Sequence, residues 1–339
     1  MATAAGSSRR QPTLAEVAAR AGVSMTAASR VINNAPHVSR AKREAVEKAI
    51  RELGYAPSRS ARALATRKSG VVALAVSGDD PALFADPFFA HVIVGISAAL
   101  EETDLHLLLC LGASGRAQTR FKSLLGTRAV DGVMLIALRG DDPLVHLVER
   151  SGLPTVYGGR PLHGEPAWYV DADNRGGART GTDHLIGLGR TRIATITGLS
   201  DTEVSESRYH GYRDAMAVAG LAPHAVRAGD FTVAGGAAAM TELLDTRADL
   251  DAVFVANDNM AAGAVRVLRE RGRRVPDDVA VVGFDDLEIA TRTEPPLTTV
   301  HQPVRALGTE MARMLTALLA GQEPSPLILP TRLVVRESA

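Results

Sequence analysis

Met25, Thr26, Ser29 and Arg30 fall within six positions of a run free of glycine and proline, and at helical spacing they share one side of it. A thioether, two hydroxyls and a guanidinium placed this way suit the edges of DNA bases, which the first residues of a helix laid in the major groove meet. Met25 and Thr26, nearest the start of the run, are the residues expected to read sequence. The elements that hold them lie on either side. Thr13 with Glu16 three residues later is a capping box, and it opens a first helix carried by Leu14, Val17, Ala18 and Ala21. Gly22 supplies a tight turn, Val23 plugs the angle between the helices, and Ser24 caps the second helix. Thr13, Ser24 and Asn33 complete the surface expected to face DNA. An ordinary amphipathic helical hairpin with a glycine turn has the same pattern, so the choice depends on the residues beyond it.

A third helix comes next, from Ser39 to Gly54, whose Ala45, Val46, Ala49, Ile50 and Leu53 close a small three-helix core. Charge divides soon after. The 339 residues are formally neutral, with 38 basic and 38 acidic side chains, yet the first 70 hold 13 Lys and Arg against 4 Asp and Glu, and the rest hold 25 against 34. A basic module fused to an acidic remainder is the expected footprint of a nucleic-acid-binding head. Phosphate contacts from Arg40, Lys42, Arg43, Arg59 and Arg62 would make its affinity depend steeply on salt. On the third helix a solvated charged face accounts for the same residues equally well. Beyond Tyr55, the run Arg59-Ser60-Ala61-Arg62-Ala63-Leu64-Ala65-Thr66 allows one or two helical turns, with two arginines beside Leu64.

With these residues in place the chain resembles the LacI/GalR family of bacterial repressors. The resemblance continues, in order, through Asp86-Pro87-Phe88-Phe89, Asp173-Asn174, His184-Leu185-Ile186 with Gly189, Arg208 with Gly211-Tyr212, and Ala256-Asn257-Asp258-Asn259-Met260-Ala261. Gly283-Phe284-Asp285-Asp286, Pro295-Pro296-Leu297-Thr298-Thr299-Val300 and the closing Leu-Val-Val-Arg-Glu-Ser extend it over nearly all of residues 13 to 338. It implies that Arg59 to Ala65 is a hinge helix and that Leu64 pries open a central base step of the operator from the minor groove. Unstacking is then offset by the contacts a kinked duplex allows.

From residue 70, β-rich apolar runs at Val71 to Val76, Leu105 to Leu111, Gly132 to Ala137 and Thr155 to Tyr157 alternate with helical stretches near Phe89 to Glu101, Gln118 to Leu125 and Pro143 to Arg150. A second set has strands at Arg192 to Thr197, Ala225 to Ala228, Ala252 to Ala256 and Val279 to Val282. Its helices run from Arg175 to Leu188, Ser207 to Val218, Ala234 to Leu244, Met260 to Arg271 and Val304 to Ala320. Such alternation makes parallel sheets covered on both faces, and two units side by side resemble the periplasmic-binding-protein fold, with a cleft between lobes. The expected organisation is a disordered lead-in over 1–11, an all-α helix-turn-helix domain over 12–56, a hinge helix and linker over 57–69, and a two-lobed α/β domain of doubly wound sheets over 70–339. The N-lobe is expected over about 70–170 plus 302–325, and the C-lobe over about 171–301 plus 326–339.

Composition excludes other classes. At 46% hydrophobic residues there is ample material for cores, but no run approaches the roughly 20 apolar residues of a membrane span, and the polar start does not read as a signal peptide. Cys110 is the only cysteine, so no disulfide or thiolate metal site forms within one chain, which fits a reducing cytoplasm. Asp285-Asp286 and the nine His residues are the only hints of metal. His-Glu-x-x-His, a phosphate loop ending in Lys-Ser or Lys-Thr, and a Gly-x-Ser-x-Gly elbow are all missing. Neither an enzyme nor a cofactor nor a metal site is expected. A transport-type binding protein would share the two-lobed fold but would need a signal peptide in place of the basic head.

Ligands of open α/β sheets lie outside the carboxyl ends of the strands, where Phe231, Asn257 and Asp285 fall. Selecting a sugar calls for a carboxylate, a guanidinium or amide, and an aromatic wall. The resemblance implies that Asp285 accepts from hydroxyls, Arg208 donates, Asn257 does either and Phe231 stacks, with Phe88 and Phe89 opposite and Gln302 near the crossover between lobes. Asp285 and Asn257 would otherwise cap the helices after them, and Phe231 would otherwise be core. The family often places an Asp after the strand at Thr155, where this chain has Gly158-Gly159-Arg160. Either Arg160 replaces that contact or the ligand is less hydroxylated, so a nucleobase or nucleoside stays open beside a sugar. The reading as a whole is a ligand-responsive repressor that binds a near-palindromic operator as a homodimer. The chain stops at Ala339 without a leucine heptad tail, and so no tetramer is expected.

Overall fold

In the first seventy residues side-chain caps begin two of the helices and a left-handed glycine ends the first. α1 (Leu14–Ala21) begins at the capping box, in which the Thr13 amide donates to the Glu16 carboxylate at 2.6 Å and the Thr13 hydroxyl accepts from the Glu16 amide at 3.3 Å. It ends at Gly22, whose φ of +66° would cost a residue with a Cβ about 1 kcal/mol or more. α2 (Met25–Ile32) is capped by the Ser24 hydroxyl, which accepts from the Ala27 amide at 3.2 Å. α3 (Arg40–Leu53) closes the core, in which Val17, Ala18, Ala28, Val31, Val46 and Ala49 are buried, with Val23, Ile50, Leu53 and Tyr55 packed around them. The computed structural model describes residues 12–32, 35–55, 68–77, 86–112, 115–223 and 226–339, and its contacts separate a unit ending at Gly70 from one spanning Val71–Ala339. The lead-in over 1–11, Asn33, and the proposed hinge with Arg59, Arg62 and Leu64 lie outside the described residues.

The second unit is two doubly wound lobes. In the N-lobe, β1 (Val71–Val76), β2 (His106–Leu111), β3 (Gly132–Ile136), β4 (Thr155–Gly158) and β5 (Tyr169–Ala172) alternate with α4 (Pro87–Leu100), α5 (Gly115–Gly126) and α6 (Pro143–Ser151). In the C-lobe, α7 (Asn174–Gly187), β6 (Ile193–Thr197), α8 (Glu203–Val218), β7 (Val226–Ala228), α9 (Val233–Thr246), β8 (Ala252–Val255), α10 (Asp258–Glu270), β9 (Ala280–Asp285), α11 (Ile289–Arg292) and β10 (Thr298–His301) succeed one another. The chain then returns through α12 (Val304–Leu319) and β11 (Leu327–Leu329) to the N-lobe and ends with β12 (Arg332–Val334) in the C-lobe. The sheets run β2-β1-β3-β4-β5-β11 and β7-β6-β8-β9-β10-β12, and only β10 with β12 is antiparallel. Period-two alternation fills both faces. Along β1, Val72, Leu74 and Val76 face α4 and α12, while Ala73 and Ala75 face α5 and α6.

Four details differ from the sequence reading. β5, β10 and β11, of four, four and three residues, are strands that the sequence reading does not place. The lobe boundaries move accordingly: β5 carries the N-lobe to Ala172 in place of about 170, and β11 pairs with Val170–Ala172 and packs Leu327 and Leu329 on the N-lobe core. Residues 327–329 therefore belong to the N-lobe and not to the C-lobe. α8 begins at Glu203, four residues before Ser207, because its first turn is mostly polar and hides the apolar period. The apolar run around Cys110 is an edge strand, leaving Leu108, Leu109 and Leu111 37%, 42% and 40% exposed. Among the described residues no helix is long and apolar enough to cross a membrane.

Candidate functional site

Arg208 is the pivot of the polar residues between the lobes. α8 packs against α7 at Gly211, where a Cβ would collide with the Arg175 carbonyl, and this approach sets Arg208 against Asn174. The side chain is buried, and its Nε donates to Asn174 Oδ1 at 2.9 Å. Its Nη1 donates to the Ala256 carbonyl and pairs with Asp285 Oδ1 at 3.0 Å, and the guanidinium lies 3.7 Å from the Phe284 ring centre. Asp285, the last residue of β9, also accepts from Gln302 Nε2 at 2.7 Å, at the start of the return crossover.

The network continues into the N-lobe. Asn174 Nδ2 donates to Asp171 Oδ1 at 3.0 Å, and Asp171 Oδ2 accepts from Arg160 Nε at 3.0 Å. Arg160 also reaches Glu203 of α8 at 2.9 Å, so it joins the lobes. A second bridge lies nearby, where Arg139 after β3 donates through Nε and Nη2 to the Asp201 carboxylate at 3.1–3.2 Å and the Gly140 amide donates to the Asp201 carbonyl. Asp86, which caps α4, lies close to Asn259 of α10 in the other lobe.

Burial shapes the electrostatics. Asp285 is pushed up to about 7 by desolvation, which the neighbouring Arg208 only partly offsets, while the nearby Asp86 adds to the rise. Asp86, Asp171 and Glu203 are raised for the same first reason, and burial lowers Arg208 against the pull of Asp285. Four acids thus accompany two guanidinium groups in a poorly hydrated place. Such a set can accept hydrogen bonds from hydroxyls and is hostile to a further anion. The backbone is strained at the strand exits, with φ of +60° at Ala137, +67° at Phe231, +104° at Asp285 and +59° at Asp286. Non-glycine residues held this way cost of order 1–3 kcal/mol each and cluster at functional sites.

The residues named from sequence fare differently. Arg208, Asp285 and Gln302 come together. Asn257 caps α10, accepting from the Met260 amide at 2.9 Å, and its Nδ2 donates to the Phe231 carbonyl at 3.0 Å, so its amide is engaged within the C-lobe. Phe231 is half-buried, its ring over Gly198 at the exit of β6 and packed on the C-lobe core. Phe88 and Phe89 meet edge to face at 5.3 Å; Phe89 belongs to the N-lobe core, and Phe88 keeps more exposure. Arg160, beside Gly159, is occupied by Asp171 and Glu203. Sequence reasoning misses Asp86, Arg139, Asp171, Asn174, Asp201, Glu203 and Asn259 as site residues. The Asp-x-Asp-Asn run at 171–174 is the available signal for two of them.

In the first unit Met25 is 56% exposed and Thr26 is exposed beside it, at the N-terminal end of α2. Ser29 is half-buried. Arg30 is exposed but donates through Nη2 to the Pro36 carbonyl at 2.9 Å, which braces the segment leading to α3. Thr13 is engaged in its capping box and Ser24 in capping α2.

Residues 13–58 match the family described as bacterial regulatory proteins, lacI family, and residues 182–339 match a periplasmic binding protein-like domain. The chain is 50% identical to the HTH-type transcriptional regulator CelR of Thermobifida fusca, over 97% of this chain and 99% of that one. Among solved structures, a complex of the transcriptional regulator CelR with cellobiose has a TM-score of 0.78 at 47% identity, covering 97% of this chain and all of that one (100%). The lac repressor dimer bound to operator and the anti-inducer ONPF has a TM-score of 0.86 at 30% identity, covering 97% and 99%.

Proposed function

The chain belongs to the LacI family of bacterial regulatory proteins, and from that we propose that it is a repressor whose effector is an uncharged sugar of the cellobiose kind, held between the lobes. It is a DNA-binding transcriptional regulator and not an enzyme. The observation that carries the effector reading is the buried Arg208–Asp285–Gln302 group beside the carboxyl groups of Asp86, Asp171 and Glu203. Sugar hydroxyls donate to carboxylates and accept from a guanidinium, Phe88 and Phe231 offer apolar surface, and a phosphate would meet four acids. The 47% identity to a regulator solved with cellobiose supports the same class.

Response to the effector then requires unequal affinity for two lobe arrangements, and a coupling of about 1–3 kcal/mol is ordinary. Arg139–Asp201 and Arg160–Glu203 span the lobes and must shift or break when the lobes move. The operator-bound state is a homodimer on a near-palindromic site, in the cytoplasm where that DNA lies. The lac repressor dimer on operator supports this, as does the exposed apolar edge at Leu108, Leu109 and Leu111, which a second copy would cover.

Thermal shift and calorimetry with cellobiose, galactose, ribose, glucose 6-phosphate and adenosine test the effector class. A neutral sugar should stabilise by about 2.7 kcal/mol at a hundred times its Kd. Stabilisation by glucose 6-phosphate or adenosine alone would overturn the assignment. The pH dependence has a definite sign. Without effector, the stability associated with the raised Asp285 is present below the ordinary carboxylate range and is lost as pH rises through about 7. A hydroxyl donor prefers the ionised carboxylate, so effector affinity should climb with pH, by up to about tenfold per unit below the Asp285 value. A profile flat from about pH 5.5 to 8 would remove Asp285 from the contact.

The hinge remains a proposal drawn from the sequence. A segment this short is marginal as an isolated helix, so it should order on operator. Leu64→Ser should reduce bending of the operator in circular-permutation gels and weaken discrimination at the central step, while half-site preference persists. Undiminished bending would show that Leu64 is not the wedge.

A further inference from the structure

We infer that Arg336, three residues from the last one, is a positioning residue for the effector site: it grips Asp286 and so holds Asp285 where its carboxylate meets Arg208. The inference rests on the proposed effector site between the lobes. β9 leaves its sheet through two successive non-glycine residues with positive φ, Asp285 at +104° and Asp286 at +59°. Residues with a Cβ stay in such conformations only when their surroundings over-determine them, so the atoms that hold this turn are the question.

Three elements supply them. Asp286 Oδ1 accepts from Arg336 Nη2 at 2.5 Å, and Oδ2 meets His301 Nδ1 at 3.1 Å, at the end of β10. The Leu287 amide donates to Asp258 Oδ2 at 2.8 Å, and Asp258 Oδ1 accepts from the Thr299 hydroxyl at 2.6 Å. Arg336 can act as an anchor because it is itself fixed. Its Nη1 donates to the Leu297 carbonyl at 2.8 Å and its amide to Thr298 Oγ1 at 2.9 Å. Two residues on, Ser338 is fully buried; its hydroxyl donates to the Val281 carbonyl at 2.6 Å and accepts from the Thr298 amide at 2.8 Å. The closing Leu-Val-Val-Arg-Glu-Ser segment thereby ties both ends of β9 to β10. With the side chains of Asp286 and Arg336 only 15% and 21% exposed, the charged hydrogen bond between them is shielded from water and strong.

The test compares Arg336→Gln, Arg336→Lys, Asp286→Asn and the double variant Arg336→Gln/Asp286→Asn in the full chain. Cellobiose affinity is read by calorimetry, effector-free operator affinity by gel shift, and Tm by melting. Arg336→Gln should lose tenfold or more in cellobiose affinity with operator affinity within twofold of the parent. Arg336→Lys should recover part of the loss, and the double variant should lose no more than either single one, as expected for two ends of one contact. Equal falls in operator and cellobiose binding together with Tm, or a cellobiose affinity within twofold of the parent, would overturn the assignment. His301→Ala removes the weaker contact and should give a smaller loss of the same kind if Arg336→Gln fails to fold. A crystal structure of Arg336→Gln, or of His301→Ala in that event, separates this inference from the effector reading. A parent that binds no sugar defeats the effector reading, whereas an Asp285–Arg208 contact unchanged from 3.0 Å in the variant defeats the clamp.

Discussion

Arg208→Ala should abolish the effector response and destabilise the chain most above neutral pH, by up to about 3–5 kcal/mol, where it leaves a buried carboxylate without its cation. Both members of the pair are almost fully buried, at 3% exposure for Arg208 and 6% for Asp285. What remains around Asp285 is the Gln302 amide alone at hydrogen-bonding distance on Oδ1. The carboxyl escapes part of the penalty by staying protonated, which its position near 7 makes easy and which losing Arg208 makes easier. The defect should therefore be smaller at about pH 5.5, where the loss of the Asn174 and Ala256 contacts remains, and grow through pH 8. Asp285→Asn should behave otherwise: Arg208 keeps Asn174 and the Ala256 carbonyl, so less stability is lost while the response still fails. Replacing both at once, Arg208→Met with Asp285→Asn, should restore much of the stability and none of the response. Urea melts at the two pH values, with effector-dependent release from operator measured alongside, read all of this. A response that survives both single changes would place the effector elsewhere.

Substitutions at Thr26 and Met25 should change which half-site is bound while sparing nonspecific affinity. Both are exposed at the start of α2, and the thioether of Met25 suits a thymine methyl while the Thr26 hydroxyl can donate or accept. A good base contact is worth about 1–3 kcal/mol of discrimination, so each change should move preference at one or two positions by roughly 5- to 150-fold. Phosphate contacts carry no such information. Arg62→Ala should weaken binding to all sequences alike and reduce the salt slope by about 1. Selection from random DNA by several Thr26 variants is the measurement. Recovery of the parental site from all of them would reject α2 as the reading helix.

The named effector residues separate by the range of the interactions that place them. Asn257 has two competing roles in its sequence context, ligand contact and helix cap, and the partner that decides is the Phe231 carbonyl, 26 residues away. Phe88 and Phe89 are adjacent and identical, and only the packing of α4 against β1 and α12 buries the second more than the first. Arg160 stands out in the sequence as a departure from the family pattern, but its engagement depends on Asp171 and on Glu203, which belongs to the other lobe.

By itself the sequence determined the helical head, the alternation of strands and helices, and the division near residue 70. These rest on interactions within one or two turns of chain: the Thr13–Glu16 box, the left-handed Gly22, the Ser24 cap, and the apolar period of each strand and helix. The family resemblance added Arg208, Asp285 and Gln302 to what could be named in advance. Only the tertiary structure decided the rest. β5 and β11 exist as strands because they pair with each other and complete a sheet, not through any pattern of their own. Arg139 meets Asp201 from 62 residues away because of where the two sheets end in space, and Arg208 meets Asn174 from 34 because α7 and α8 pack closely at Gly211. The raised Asp285 likewise results from burial between lobes, a property of the folded chain that no stretch of residues carries alone.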